Sequence, residues 1–239
     1  MEFIEARHIQ KIYENDGVRT VALKDATLTI KEGEFVAIVG PSGSGKSTLM
    51  QILGCLDRPT SGEYFFEGKE LNVYTDIELA KVRNEKIGFV FQAFNLLPRL
   101  SVLENVIMPL VYAGVPEKKR ISRAMEMIKL VDLEDRTNYD ASRLSGGQKQ
   151  RAAIARALVN EPKIIFADEP TGNLDSKSGE VVLDFLQKLN NDGHTIVIVT
   201  HETYVAQAAT RILHIKDGEI AHDEKVGVRR IISKDGFVK

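Results

Sequence analysis

The sequence contains a single cysteine, Cys55, so the chain cannot form an internal disulfide bond. This excludes the disulfide-rich secreted scaffolds and fits a reducing compartment. Cys55 lies in the apolar stretch LMQILGCLD. In such a stretch we expect a small buried core residue rather than a reactive thiol.

An excess of positive charge is also lacking. The chain has 32 lysines and arginines against 34 acidic residues, for a formal net charge of −2. Nucleic-acid-binding domains usually carry a basic patch and a high isoelectric point. We therefore expect no nucleic-acid partner.

No apolar run approaches the roughly 20 residues that span a bilayer. The longest runs, FVAIV and LVYAGV, have the length of strands. The first residues, MEFIEARHIQK, carry charge from the second position and lack the apolar core of a signal peptide. We expect a cytosolic protein, so a membrane function would require a spanning subunit on a separate chain.

The sequence does contain short apolar runs that alternate with helical segments. Such runs are typical of buried parallel strands, and alternation with helices predicts an α/β domain with a mostly parallel sheet. The runs are EFVAIVG (34–40), KIGFVFQ (86–92), KIIFADEP (163–170) and TIVIVTH (195–201). Helices are predicted after the first run, in KSTLMQILGCL, and between the last two, where Val181, Val182, Phe185, Leu186 and Leu189 share a face.

Three regions depart from this alternation. The first 30 residues read as antiparallel strands around the turn signal ENDG, and a final hairpin is predicted at Asp217-Gly218. Residues 94–159 show no strand but helical patterns, with Ile121, Met125 and Ile128 on one face. The sequence thus predicts one domain with an α/β core (1–93 and 160–222), an inserted helical subdomain (94–159) and a short tail (223–239).

The segment GPSGSGKST (40–48) matches the phosphate-binding loop G-x-x-x-x-G-K-[ST]. Its glycines let backbone N–H groups cradle phosphates, Lys46 supplies charge to the β- and γ-phosphates, and the Ser47 hydroxyl can ligate Mg²⁺. A strand precedes the loop and a helix follows it, as this mechanism requires. A bound nucleoside triphosphate with Mg²⁺ is predicted, and the residues of its cradle are Gly40, Ser42, Gly43, Ser44, Gly45, Lys46, Ser47 and Thr48.

Polar residues end the other buried strands, at the edge where ligands bind in open α/β sheets. Asp168 suits the Mg²⁺ shell, and Glu169 could polarise an attacking water. His201 could bind the γ-phosphate or the water, and Gln92 could reach Mg²⁺ or the water. The alternatives are an acidic capping pair, a structural histidine and a surface-turn glutamine. The other histidines (His8, His194, His214 and His222) receive no role.

A second candidate phosphate site lies in RLSGGQKQR (143–151). Ser145, Gly146 and Gly147 precede a helix-forming run, and a helix N-terminus with small residues favours an anion. With GPSGSGKST and IIFADE, the motif LSGGQ (144–148) resembles the ATP-binding cassette (ABC) ATPases over nearly the whole chain.

This resemblance implies the ABC ATPase variant of the P-loop fold and an active ATPase. It also implies a head-to-tail homodimer, in which the signature motif of one subunit binds the γ-phosphate of ATP held by the phosphate loop of the other. The family roles fall on Tyr13 (adenine stacking), Gln92 (Q-loop), Ser145, Gly146, Gly147 and Gln148 (signature), Asp168 (Mg²⁺), Glu169 (catalytic), Asp175 (dimer interface) and His201 (switch). A strand-end core residue is the alternative for Tyr13.

Longer stretches, such as GFVFQAFNLLPRLSVLENVIMPLVY, resemble the branch of macrolide-export and lipoprotein-release ATPases. This implies a motor held by a separate transmembrane permease at the inner face of the cell membrane, for export or extraction. Phe94, Leu96, Leu97 and Leu100 are candidates for the groove that receives the permease, or for core. Ala141 and Arg143 stand where many relatives have proline and glutamine, which leaves the partner's identity open.

Three alternatives remain. A non-transport ABC ATPase usually carries two cassettes, coiled-coil insertions or zinc-binding cysteines. An ordinary P-loop kinase or GTPase leaves LSGGQ and His201 unexplained. A motor of the same branch could instead transmit a mechanical signal or act in cell division.

Overall fold

The computed structural model describes residues 2–15 and 17–236. Within them the strands are β1 (Glu2–Asn15), β2 (Val18–Lys31), β3 (Phe35–Val39), β4 (Ser61–Phe66), β5 (Lys69–Glu70), β6 (Ile87–Val90), β7 (Ile164–Asp168), β8 (Thr195–Val199), β9 (Arg211–Lys216) and β10 (Glu219–Lys225). The helices are α1 (Lys46–Leu53), α2 (Asp76–Lys86), α3 (Val102–Tyr112), α4 (Glu117–Leu130), α5 (Gly146–Leu158), α6 (Ser176–Asn191), α7 (Thr203–Ala206) and α8 (Ile232–Asp235).

The strands of the described residues form one sheet in the order β5-β4-β1-β2-β10-β9-β3-β8-β7-β6. The pairs β9-β3, β3-β8, β8-β7 and β7-β6 are parallel. This arrangement confirms the predicted α/β fold with a mostly parallel core. All four runs predicted as buried strands lie in it, as β3, β6, β7 and β8.

The remaining strand pairs are antiparallel, except for the short parallel pair β2-β10. β1 pairs with β2 and β4, and β9 pairs with β10, which confirms both predicted hairpins. Asp217 and Gly218 adopt φ values of 50° and 82°, as a two-residue hairpin turn requires. Asp16 of the first turn lies outside the described residues.

The segment between Val39 and Ile87 also holds elements that the sequence analysis did not assign: β4, β5 and α2. Helix α2 begins with a capping box in which Thr75 accepts from the Glu78 N–H and Glu78 reaches back to the Thr75 N–H. This pattern is readable in the sequence as TDIE. A two-residue strand such as β5 has too little pattern to be seen.

The inserted segment folds into α3, α4 and α5, as predicted, with no strand among its described residues. The predicted face of α4 is partly wrong. Ile128 is fully buried beside Ala124 and Met125 is partly buried, whereas Ile121 is 42% exposed. Val181 on α6 is likewise exposed, while Val182 and its other predicted neighbours pack inward.

The core has two parts, one on each face of the sheet. One contains α1 and the aromatic residues of the antiparallel strands, and the other contains α3 to α6. The residues after β10 pack on this second part: Ile232 is fully buried, and its N–H donates to Gln187 Oε1 (3.0 Å). None of the helices in the described part of the chain has the length and hydropathy to cross a bilayer.

Candidate nucleotide site

The predicted phosphate loop lies between the end of β3 and the start of α1. A Cβ at Gly40 would overlap the carbonyl oxygen of Ile215, so only glycine fits there. Gly45, the residue before α1, has a φ of 103°, which strongly disfavours other residues. The loop therefore packs closely against the backbone of Ile215 in β9. It ends at a helix N-terminus, where unpaired N–H groups favour an anion.

Lys46 is held inside this loop, with 8% of its surface exposed. Its ammonium group donates to the carbonyls of Gly40 (2.9 Å) and Pro41 (2.8 Å). The Ser44 hydroxyl is buried and has no hydrogen-bond partner among the described residues. A buried cation and an unsatisfied buried hydroxyl on a glycine-rich loop are features that phosphate oxygens would complement.

Asp168 is the last residue of β7, two strands away from β3 in the sheet. Burial raises the pKa of Asp168, and the neighbouring charge of Glu169 adds to the rise, while the charge of Lys46 opposes it. Lys46 is thus within electrostatic reach of this carboxylate. A carboxylate, the Ser47 hydroxyl and the Gln92 amide provide the hard oxygen donors that Mg²⁺ prefers, so these residue types fit the ion.

Glu169 follows directly and has a φ of 42°. A non-glycine residue in this region costs about 1–2 kcal/mol. Its N–H donates to the Val199 carbonyl of β8 (2.9 Å), which holds the strained backbone against the neighbouring strand. Strain of this kind persists only where the surroundings impose it, and it is frequent at functional sites.

His201 lies beyond the end of β8 and contacts Glu169 directly. The imidazole Nδ1 is 2.9 Å from Glu169 Oε1. The histidine side chain is 60% exposed, whereas that of Glu169 is 22% exposed. Two residues that are 32 positions apart in the sequence, and that the sequence analysis selected separately, therefore form one pair at the sheet edge.

Gln92 lies just after β6 and reaches the same region. Its amide packs on Gly172, where a Cβ would lie 2.8 Å from Gln92 Nε2. Asn173 donates to the Gln92 carbonyl (3.0 Å), and the Gly172 N–H donates to the Glu169 carbonyl (3.0 Å). The predicted Q-loop glutamine thus sits against the turn that follows Glu169.

Tyr13 lies on β1 with its ring partly exposed. Its hydroxyl donates to Asp57 Oδ2 (2.8 Å), and the Lys11 ammonium lies 4.8 Å from the ring centroid. Burial and the hydrogen bond to Asp57 raise the pKa of the phenol. Sequence reasoning missed Asp57 and Lys11, which fix the ring through contacts that no local pattern reveals.

The signature motif begins α5, as predicted. Ser145 accepts from the Gln148 N–H (3.3 Å), and Gln148 Oε1 accepts from the Ser145 N–H (3.0 Å). A Cβ at Gly147 would lie 2.7 Å from Ser178 Oγ, and this hydroxyl donates to Asp175 Oδ2 (2.7 Å). Within one chain, the signature motif therefore packs beside Asp175, the residue predicted for a dimer interface.

A groove with a volume of about 930 Å³ runs between α2, β6, α3 and α5. Its lining includes Leu56, Ile77, Phe89, Met108, Tyr112 and Arg156. None of the four predicted docking residues lines it. Phe94 and Leu96 pack against the core instead, because the backbone turns at Phe94 and Asn95 (φ of 62° and 49°) and directs Asn95 to the groove.

Arg156 of α5 is a further residue that sequence reasoning missed. It donates to the carbonyls of Phe94 (2.9 Å) and Asn95, and so holds these two strained residues from the side of the groove. Burial lowers the pKa of the guanidinium, which nevertheless stays charged at neutral pH. The two partners are more than 60 positions apart in the sequence, so no local spacing predicts the contact.

The sequence also matches a known family. A family model described as "ABC transporter" matches residues 23–172, more than half of the chain. The chain belongs to the ABC transporter family. It is an ATPase of that family, as the sequence resemblance predicted, and it is similar to ATP-binding proteins of the family along almost its whole length.

An ABC transporter ATP-binding protein of Thermotoga maritima is 53% identical over 228 residues, which cover 95% of this chain and 96% of that protein. MJ0796 of Methanocaldococcus jannaschii is 51% identical, with 93% and 97% of the chains covered. A dimeric structure of MJ0796 in a post-hydrolysis state bound to ADP and Pi matches this fold with a TM-score of 0.87, covering 94% of this chain and 99% of that one.

The ABC ATPase also resembles a macrolide export ATP-binding/permease protein, MacB, of Mannheimia succiniciproducens. The identity is 50% over 241 residues, which cover all of this chain but 37% of MacB. This relative combines an ATP-binding part and a permease in one chain. The ABC ATPase described here corresponds to the ATP-binding part.

Proposed function

We propose that this ABC ATPase is the motor of a transporter whose permease is a separate chain, and that ATP-driven closure of a homodimer powers export or extraction. The observation that carries this proposal is that the predicted phosphate-binding residues form two sets of contacts within one chain. Lys46, Asp168 and the Glu169–His201 pair lie together, whereas Ser145 to Gln148 pack beside Asp175. Two chains placed head to tail would bring the second group over the phosphate loop of the partner.

In this arrangement Tyr13 stacks on the adenine and the phosphate loop holds the triphosphate. Glu169 orients and polarises the attacking water, and His201 holds Glu169 and contacts the γ-phosphate. Ser47, Asp168 and Gln92 are the residues that would hold Mg²⁺, and the ion would supply charge stabilisation for the transferred phosphate. The Ser145–Gln148 helix start and Asp175 of the other subunit complete the site.

ATP favours the closed dimer because the signature helices bind the γ-phosphate, and phosphate release removes that contact. The ligand thus shifts the balance between open and closed dimers by differential contact. The dimeric MJ0796 structure supports this mechanism, since a chain of nearly the same fold assembles as a dimer with hydrolysis products.

For the permease we propose the groove between α2 and α3. Its rim exposes large apolar side chains, with Ile77 84% and Tyr112 78% exposed. Its lining carries three basic residues (Lys81, Arg83 and Arg156) against one acidic residue (Glu85), so an amphipathic segment with an acidic residue would complement it. A subunit docked there would hold this ATPase at the cytoplasmic face of the membrane.

The experiment is a pull-down of the tagged protein from detergent-solubilised native membranes, followed by mass spectrometry. A polytopic membrane protein in stoichiometric amount, lost in Ile77→Asp and Tyr112→Asp, supports the proposal. Val228→Asp is the matched control, because Val228 is 90% exposed and does not line the groove. Recovery of soluble proteins alone would contradict the transporter motor and favour a non-transport ATPase. A membrane partner with no substrate pathway would favour mechanical signalling.

A further inference from the structure

A second carboxylate lies next to the Glu169–His201 pair and belongs to neither the phosphate loop nor the signature motif. Glu202 follows His201 in the chain, and its side chain is partly buried. Glu202 Oε2 accepts a hydrogen bond from the Thr171 hydroxyl (3.1 Å) and another from the Tyr204 hydroxyl (2.7 Å). One oxygen atom thus connects the loop after β7 with the loop after β8.

The same carboxylate sits in a chain of contacts that reaches β3. The Glu202 N–H donates to Thr200 Oγ1 (3.0 Å), and the Thr200 N–H donates to the Ile38 carbonyl (3.1 Å). Thr200 is 2% exposed. Both neighbours of His201 in the sequence are therefore fixed, one to the strand that precedes the phosphate loop and the other to Thr171.

Glu169 is flanked in a comparable way. The buried amide of Gln150 donates to the Pro170 carbonyl (2.8 Å), and Thr171 is 2% exposed. The Gly172 N–H donates to the Glu169 carbonyl. The two residues that follow Glu169 are thus held in place, Pro170 by α5 and Thr171 by Glu202. These contacts surround the strained backbone of Glu169.

We propose that Glu202 is a positioning residue for ATP hydrolysis: by accepting from Thr171 and Tyr204 it sets the relative position of Glu169 and His201. This inference rests on the proposed roles of those two residues. The function needs an acceptor oxygen that faces both hydroxyls, and it does not need the negative charge. A displacement of Glu169 relative to His201 by about 1 Å would lower the rate of the chemical step and leave nucleotide binding nearly intact.

The test measures kcat and KM for Mg-ATP, and the ATP dissociation constant, for the purified full chain. Glu202→Ala is expected to lower kcat about tenfold or more, with KM and the dissociation constant within about twofold of the wild type. Glu202→Gln keeps an acceptor oxygen and is expected to restore kcat to near the wild-type value. Glu70→Ala, at an exposed position on β5, is the matched control.

Two further variants guard against a folding defect in Glu202→Ala. Thr171→Val removes the donor hydroxyl with little change in shape, and Thr171→Ser returns it. The proposal requires that Thr171→Val lowers kcat and that Thr171→Ser restores it at unchanged KM. A loss of thermal stability without a change in kcat would mean that the contact is only structural, and would overturn the proposal.

The proposal would also be overturned if Glu202→Gln lost as much kcat as Glu202→Ala, because the negative charge of Glu202 would then be the requirement. Glu169→Gln is measured in parallel. If Glu169→Gln retains wild-type activity, the proposed catalytic role of Glu169 fails. If it is inactive while Glu202→Ala is normal, only the role of Glu202 fails.

Discussion

The carboxylate of Glu169 and the imidazole of His201 are 2.9 Å apart and bridge the loops that follow two adjacent parallel strands. This contact fixes the proposed water-polarising group relative to the strand beside the phosphate loop. Removing the charge of Glu169 should therefore stop hydrolysis without removing the phosphate loop that binds ATP.

Glu169→Gln is expected to bind Mg-ATP, to hydrolyse it about 100-fold more slowly or worse, and to accumulate as a dimer, because general-base assistance is worth about 10²–10⁴ in rate. Light scattering with saturating Mg-ATP checks the dimer, and phosphate release checks the rate. Glu70→Gln serves as the control. A variant that stays monomeric while binding ATP would count against nucleotide-driven closure.

Tyr13 offers a test of the base-binding half of the site. Tyr13→Ala is expected to weaken ATP binding by about 1–3 kcal/mol, the usual worth of stacking a base on an aromatic ring. Tyr13→Phe keeps the ring and loses the hydroxyl with its contacts to Asp57 and Thr48, so it should bind nearly as well as the wild type. Calorimetric titration measures both. Equal affinities for all three proteins would assign Tyr13 to the core instead.

The two signature glycines differ in the space around them. A Cβ at Gly147 meets Ser178 Oγ at 2.7 Å and Ser178 Cβ at 2.9 Å, whereas a Cβ at Gly146 finds its nearest atom at 3.5 Å. Gly147→Ala should cost about 1–3 kcal/mol of unfolding free energy through overpacking. Gly146→Ala should cost nothing, since alanine favours the helix. Urea unfolding of the nucleotide-free chain measures both, and equal stabilities would refute the packing argument.

The free energy of unfolding should depend on pH through the carboxylate of Asp168. Burial and Glu169 raise its pKa, so the ionised carboxylate costs folding free energy, and this cost disappears as pH falls through the raised pKa. Asp168→Asn should therefore unfold at higher urea than the wild type at pH 7.5. The difference should shrink as pH falls towards the ordinary aspartate pKa of about 3.9. A difference that is independent of pH would contradict the electrostatic cause. The exposed Asp192 provides the control, as Asp192→Asn.

Much of this structure could be predicted from the sequence because its signals are local. A glycine-rich loop between a strand and a helix, and carboxylates at a strand end, each occupy fewer than ten consecutive residues. The fold class and the family followed from them. Helix α2 carried an equally local capping signal in TDIE that was not used.

The remainder depends on contacts between distant parts of the chain. Phe94 and Leu96, two of the four docking candidates, pack partly against the core at a turn where Phe94 and Asn95 are left-handed, and the docking role of the four residues stays a prediction. The contacts of Arg156 with this turn, and of Tyr13 with Asp57, join segments that no spacing rule connects. Ile121 and Val181 showed helical periodicity, but the position of the neighbouring elements decides which side of a helix is buried.

The central claim is that each ATP site is built from two chains, and mixing two inactive variants tests it most directly. Lys46→Ala removes the cation of the phosphate loop, and Gly146→Asp places a negative charge at the start of the signature helix, where the chain has room for it. Each variant alone is expected to be inactive.

A mixed dimer of the two would contain one intact site, formed by the phosphate loop of the Gly146→Asp subunit and the signature motif of the Lys46→Ala subunit. The composite site therefore predicts that an equimolar mixture recovers ATPase activity, up to about one quarter of the wild-type value for random pairing in a two-fold dimer. A mixture that stays as inactive as either variant alone, although both variants fold and exchange into mixed dimers, would contradict the composite site.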